Sequence, residues 1–334
     1  MTKKATALQV LGTGEYVPGN RIDSTQFDQR WNRPAGWTFE QTGVESRAHA
    51  TSSESAVMMA AAAARQALQR AELDAAQLDV VISVSSVGYQ PIPCTAVLIH
   101  RELGLEDSGI PAFDINATCL GFLAALDLIA PSIAAGRLRH ALVVASEVAS
   151  KGINWDDEKT AALFGDGAGA VVLGAPRRAG AGLRGSLVRT FSSGSKLCEV
   201  RAGGTGLSAR EPREEFVAGS YFEMSGRSIY RLAATLMPKF FADLMSTAET
   251  RAEDIDVWVP HQASGQAIEH LRTVLGLSPE RLVSTIGTHG NQVAASMPIA
   301  LHRGIESGRI GAGKRVAMIG TGAGLSLGGA VLQF

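Results

Sequence analysis

Apolar and polar positions along this chain follow two periods that take turns. Ser55 to Arg70 carries apolar residues at helical spacing with an alanine-rich face, and it leads into a strand at Leu78 to Ser85. Ala112 to Asn116 again has strand character. It gives way to small residues and then to Leu120, Phe122, Leu123, Leu126 and Ile129, whose spacing predicts a buried helix running on to Ile133. Nearer the start, residues 6–17 predict a first strand ending at glycines, followed by an irregular segment, Trp31 to His49, that holds Trp37 and Gln41-Thr42-Gly43. Helices and strands in alternation predict an α/β architecture.

The pattern also repeats. Leu78-Asp79-Val80-Val81-Ile82 returns as Ile255-Asp256-Val257-Trp258-Val259, and Leu103-Gly104-Leu105 returns as Leu275-Gly276-Leu277. Cys119 lies fourteen residues after Leu105 and Gly136-Arg137 a further seventeen; Asn291 lies fourteen after Leu277 and Gly308-Arg309 a further seventeen. Each half closes with an apolar strand, Ala141 to Ser146 or Arg315 to Gly320, and a glycine-rich hairpin, Gly165 to Leu173 or Gly322 to Leu332. A repeat this long is no solenoid unit and implies two duplicated domains, 1–175 and 176–334, packed face to face about a pseudo-twofold axis. Cys119 and Asn291 then occupy equivalent helix starts aimed at the shared interface. Neither hairpin has the G-x-G-x-x-G spacing between strand and helix of a dinucleotide loop.

Composition narrows the classes. The 334 residues are 46% hydrophobic, enough for one large domain or two fused ones. A formal net charge of -1 without a dense Lys/Arg run argues against nucleic acid as the main partner. Three cysteines, at 94, 119 and 198, form neither a disulfide framework nor a zinc pattern and fit a reducing cytosol. The basic opening Met1-Thr2-Lys3-Lys4 is not followed by a signal-type apolar core, and no uncharged apolar run approaches the ~20 residues of a membrane span. The expectation is a soluble, cytoplasmic protein.

Cys119 stands where a strand turns into a helix N-terminus, where unpaired N–H groups and the helix dipole favour a thiolate. The strand ending at Pro260 delivers His261-Gln262-Ala263-Ser264 into a loop before the helix Gly265 to Leu275, and by the repeat this strand end matches Ser83 to Ser86. A cysteine, a histidine and an asparagine at three strand or loop ends around one axis supply a soft nucleophile and two neutral N–H donors.

Those landmarks, with Phe164-Gly165-Asp166-Gly167-Ala168-Gly169-Ala170, Val259-Pro260-His261-Gln262-Ala263 and His289-Gly290-Asn291-Gln292-Val293-Ala294-Ala295-Ser296, resemble the β-ketoacyl-acyl-carrier-protein synthase III family of the thiolase superfamily from about Gly12 to Phe334. The resemblance implies an α-β-α-β-α five-layer thiolase-like fold, a homodimer, and Cys119, His261 and Asn291 as catalytic residues without a metal or other cofactor. It implies an oxyanion hole from the N–H groups of Cys119 and Gly322. Substrate contacts would fall at Trp37, Thr42, Ile92 (from across the dimer interface), Phe164, Gly226, Tyr230, Ala263 and Ser264. The reaction implied is decarboxylative condensation of an acyl thioester, on coenzyme A or acyl carrier protein, with a malonyl-acyl-carrier-protein. Ile319 to Gly329 lacks the second cysteine of a non-decarboxylating thiolase, and Ile92 stands where relatives joining two long chains carry a glutamate.

The chain departs from the family where carriers bind. The expected phosphate-binding arginines read Gln41 and Glu158, the His-Gln-Ala-Asn loop ends in Ser264, and the carrier-docking helix has Gln266, Thr273 and Val274, with Arg227, Arg231 and Arg272 as partial replacements. These departures predict weak use of short acyl-coenzyme A. A specialised condensing enzyme or acyltransferase of secondary metabolism stays open as the alternative, as do a cysteine thioesterase and an inactive partner subunit.

Overall fold

The computed structural model describes residues 5–334, so the basic opening at 1–4 lies outside the described residues. A five-stranded sheet is built from β1 (Gln9–Tyr16), β2 (Val80–Ser83), β3 (Ala112–Asp114), β4 (His140–Glu147) and β5 (Gly167–Gly174), in the order β1-β5-β4-β2-β3. A four-stranded sheet is built from β6 (Gly182–Thr190), β7 (Val257–Pro260), β8 (Arg315–Gly322) and β9 (Ser326–Gln333), in the order β6-β9-β8-β7. Both sheets run antiparallel, antiparallel, then parallel along that order. Where β3 pairs with β2 in the first sheet, the second has only a parallel bridge between Trp258 and Leu282. The duplication read from sequence spacing is therefore a duplication of topology.

Alternation along the strands separates the layers, because successive side chains leave opposite faces of a sheet. Val80, Ile82, Ala141, Val143, Val257, Val259, Val316 and Met318 face a common core with Leu120, with Phe122, Leu123 and Leu126 of α3 (Gly121–Ala134) and with Met297, Ile299 and Leu301 of a matching helix, Ser296–Glu306. Val81, Leu142, Val144 and Val172 face outward onto the alanine face of α1 (Ala56–Ala71) and onto α2 (Thr95–Glu102). Trp258, Ala317, Ile319 and Leu327 face the other way, onto α4 (Gly226–Thr247) and α5 (Gly265–Val274); the helix at Ser296–Glu306 is α6. The result is the five-layer α-β-α-β-α arrangement. Each large side chain sealed in the middle layer contributes ~1.5–3 kcal/mol, which makes the contact between the halves a core and not a docking surface. Among the described residues no helix is long and apolar enough to cross a membrane.

Element boundaries shift where tertiary contact decides. The first strand does not end at its glycines but runs through them: a Cβ on Gly12 or Gly14 would lie 2.2 Å from the carbonyl oxygen of Ala67 or Ala63, so α1 packs directly on the β1 backbone. The glycine-rich segment after Gly165 forms β5 antiparallel to β4, but residues 148–166 intervene, so it is a returning strand and not a tight hairpin. The second segment is a true hairpin, closing between Gly322 and Ser326. Asn291 lies before a 3₁₀ turn, Val293–Ala295, that precedes α6, so it does not share the direct helix start of Cys119.

Candidate active site

The end of β8 forms the wall around which the candidate residues collect. His261 follows β7, its backbone N–H bonding to Ile319 O at 2.9 Å, and a Cβ on Gly320 would lie 2.6 Å from His261 Cβ and 3.5 Å from Leu120. A Cβ on Gly322 would lie 2.7 Å from Thr118 Oγ1. The turn carrying Cys119 and the loop carrying His261 thus press on the same strand from both halves. Asn291 joins them through Nδ2, which donates to Ala263 O at 3.2 Å, while its backbone is stitched between Leu163 O at 2.8 Å and Gly165 N at 3.1 Å.

Electrostatics at the site are set by burial. His261 is buried and its imidazole is pushed down to about 4, so it is neutral at physiological pH; its Nδ1 has no hydrogen-bond partner. The expected low-pKa thiolate is not what the site holds at rest. Burial pushes the Cys119 thiol up to about 12, with Cys198 and Glu147 nearby adding to the rise, and the backbone N–H groups of Ala323 and of Cys119 itself only partly offset it. Desolvation of a sulfur enclosed between two halves outweighs the favourable end of one helix. The N–H that bonds the thiol belongs to Ala323, one residue beyond the expected Gly322; Gly322 instead supplies the room for Thr118.

Two further groups escaped the sequence reading. Cys198, in a two-residue strand paired to Glu223 and Met224, interacts with Cys119, and burial pushes its thiol up to about 11. Glu147, at the end of β4, is buried at 3% exposure and pushed up to about 7. Its carboxylate accepts N–H bonds from Ser86 and Val87 in the first half and Ala294 in the second. A charged residue ending an otherwise apolar strand was the signal available for Glu147; nothing local marked Cys198.

The expected substrate residues divide. Phe164 is buried, edge-on to Phe222 at 4.9 Å and bridged to Asn291, and Ala263 accepts the Asn291 bond, so both lie against Asn291. Thr42 is buried, spending its hydroxyl on Thr38 O, and Gly43 at φ 70 touches Gly265, where a Cβ would meet Cα at 2.6 Å. That contact brings the Trp37 helix against the start of α5. Ser264 is occupied as the α5 cap, accepting from Ala267 N at 3.1 Å. Ile92 is 85% exposed, and Gly226 and Tyr230 lie at the exposed start of α4, Tyr230 stacking edge-on with His270.

The missing-arginine reading needs correction. Glu158 does not stand alone, because Arg33 donates to it at 2.8 and 3.1 Å, and the same guanidinium lies 5.0 Å over the Trp37 ring. A cation has moved to the other side of the tryptophan, out of reach of a motif comparison. Arg272, conversely, is no free replacement, since it is clamped to Glu269 at 2.6 and 2.7 Å. Arg227 and Arg231 are exposed.

The five layers, with Cys119, His261 and Asn291 on loops at the seam between the halves, are the architecture of a thiolase-type condensing enzyme. Residues 113–190 match the model for 3-oxoacyl-[acyl-carrier-protein (ACP)] synthase III, and residues 245–334 the model for its C-terminal part. The chain is 36% identical to a beta-ketoacyl-[acyl-carrier-protein] synthase III of Neisseria meningitidis over 98% of its length and 99% of that protein's. It superposes on the 3-oxoacyl-[acyl-carrier-protein] synthase III of Aquifex aeolicus with TM-score 0.87 and 30% identity, covering 98% of this chain and 100% of that one. The priming beta-ketosynthase of the R1128 polyketide pathway is as similar in shape, with TM-score 0.87 and 29% identity over 100% and 98% of the two chains. This chain belongs to the 3-oxoacyl-[acyl-carrier-protein] synthase III family, acyltransferase-class condensing enzymes.

Proposed function

We propose that the protein starts acyl chains by decarboxylative condensation of an acyl thioester with a malonyl-acyl-carrier-protein. The observation that carries the assignment of roles is the Ala323 N–H aimed at the Cys119 thiol beside a neutral His261. Cys119 Sγ attacks the acyl thioester, its proton passes to the departing thiolate, and the oxyanion is held by the N–H groups of Cys119 and Ala323, each such donor being worth ~10²–10³ in rate. His261 and Asn291 then donate to the thioester carbonyl of the malonyl group as carbon dioxide leaves. The enolate attacks the acyl carbon, and the Cys119 thiolate departs and takes a proton from solvent. A neutral imidazole suits this step, because decarboxylation and not proton abstraction generates the carbanion.

Two features support a homodimer: β3 is an open sheet edge with Phe113 44% exposed, and Val87, Tyr89, Ile92 and Val97 expose apolar surface on the segment leading to it. Exposed Arg227 and Arg231 beside α5 suit an acidic carrier protein. Three cysteines without a disulfide suit the cytoplasm. A starter role in polyketide synthesis is the second reading, favoured by the likeness to the R1128 priming enzyme.

Intact-protein mass spectrometry after incubation with acetyl-, butyryl- and octanoyl-coenzyme A and octanoyl carrier protein tests the assignment. One acyl group should load on Cys119, and malonyl carrier protein should discharge it as a β-ketoacyl thioester. Release of free acid alone would make the protein a thioesterase. Arg33→Ala should raise KM for acyl-coenzyme A more than for acyl carrier protein, since the guanidinium sits on the Trp37 face.

A further inference from the structure

We infer that Asn116 is the positioning residue that sets the Cys119 turn, an inference that rests on Cys119 being the acylated nucleophile. Thr118, the residue before Cys119, holds φ +50, a left-handed conformation that a β-branched side chain rarely adopts. Asn116 Oδ1 accepts the Thr118 N–H at 2.9 Å, and Asn116 Nδ2 donates to Ser86 O at 2.9 Å. Ser86 is in turn anchored through its own N–H to the buried Glu147 carboxylate.

The other half repeats the construction. Val293, also β-branched, holds φ +50, and its N–H donates to Asn291 Oδ1 at 2.9 Å. Asn291 Nδ2 donates to Ala263 O. Strand register makes Ala263 the counterpart of Ser86: Val80 pairs with Ala141 as Val257 pairs with Val316, and each carbonyl lies six residues beyond its strand residue. Two asparagines therefore make the same pair of bonds, to the N–H of a strained β-branched residue two positions on and to the carbonyl of the adjoining strand-end loop. In the second half that asparagine is itself a proposed catalytic group. In the first it stands three residues ahead of the nucleophile, and what it controls is Thr118.

The Thr118 conformation decides where the next peptide N–H points. Leu120 N and Gly121 N turn back to Ala117 O and Thr118 O, while the Cys119 N–H is directed at its own sulfur, where an oxyanion donor is needed. Releasing Asn116 lets Thr118 relax to negative φ and swings that N–H away. Thiol chemistry that needs no oxyanion hole should tolerate the change better than attack on a thioester.

The test compares wild type, Asn116→Ala, Asn116→Asp and Asn116→Ala/Thr118→Gly, measuring the single-turnover rate of acylation by a short acyl-coenzyme A, alkylation of Cys119 by iodoacetamide, and melting temperature. Asn116→Ala should slow acylation about tenfold or more while alkylation changes less than about threefold. Asn116→Asp keeps the acceptor for Thr118 N–H but loses the donor to Ser86 O, so it should recover part of the rate, as should the double variant, with glycine at ease at positive φ. Wild-type acylation by Asn116→Ala, an equal fall in acylation and alkylation, or Asn116→Asp as slow as Asn116→Ala would each overturn the proposal. If Asn116→Ala does not fold, Asn116→Asp and the double variant decide by the same ratio. Failure of the wild type to load an acyl group on Cys119 would instead overturn the underlying assignment.

Discussion

The ends of β4 and β8 occupy matching places in the two halves and carry opposite chemistry. Register aligns Ala141 with Val316, and six residues on from each stand Glu147 and Gly322. Glu147 fills its place with a buried carboxylate that gathers N–H groups from both halves; Gly322 leaves its place empty so that Thr118 and Leu120 can pack there. Duplication supplied two equal strand ends; one now ties the halves and the other makes room for the turn that carries Cys119. The asymmetry of the site is thus made by a few side chains on a symmetric backbone.

Removing the one group the symmetric frame does not duplicate should have the largest effect. Cys119→Ser should abolish acyl loading, while the double replacement of Cys94 and Cys198 by Ser retains it, as read by intact mass. Peptide mapping that finds the acyl group on Cys198, which lies beside Cys119, would reverse the assignment.

With its thiol pushed up to about 12, Cys119 should show alkylation by iodoacetamide rising about tenfold per pH unit from 7 to 10, about a thousandfold in all, since only the thiolate reacts. A plateau near neutral pH would restore the helix-dipole expectation that burial overrides here.

His261→Ala should still form acyl-enzyme but lose ~10²–10³ in malonyl decarboxylation. With the imidazole at about 4, the wild-type rate should show no His261 titration between pH 6 and 8. A mutant that decarboxylates normally but does not self-acylate would exchange the roles of the two halves.

Filling the space at β8 is the direct test of its emptiness. Gly322→Ala would set a methyl 2.7 Å from Thr118 Oγ1, on a turn with no slack, and should slow acylation ~10²-fold with little change in carrier KM.

The smallest effect concerns Glu147. Its carboxyl is raised from 4.5 to about 7 in the fold, so the native state holds a proton that the unfolded chain has lost; that stabilisation is complete below about pH 4.5 and disappears as pH rises through about 7. The span corresponds to about 3 kcal/mol. His261, His289 and His302, all pushed down to about 4, act in the opposite direction below pH 6.5. The informative quantity is therefore the difference between wild type and Glu147→Gln in urea unfolding from pH 5 to 8. It should move in favour of Gln as pH rises, and a constant difference would place the ionisation elsewhere.

Periodicity and spacing determined the alternation of elements, the duplication and the three candidate residues. Such features are written locally: apolar period, strand ends and repeat distances all survive in one dimension. Even the layers follow, because Val80 and Val81 must leave opposite faces of one strand. What only the tertiary structure decided depends on distance between remote positions. Whether Cys119 rests as thiol or thiolate depends on how much water two packed halves exclude. Whether Glu158 repels a phosphate depends on Arg33, 125 residues away in the chain and bonded to it in space. The donor at the sulfur is Ala323, the first residue of the hairpin's turn beyond the last strand pair, Gly322 with Ser326. Desolvation and charge pairing act through space, and only the fold specifies that space.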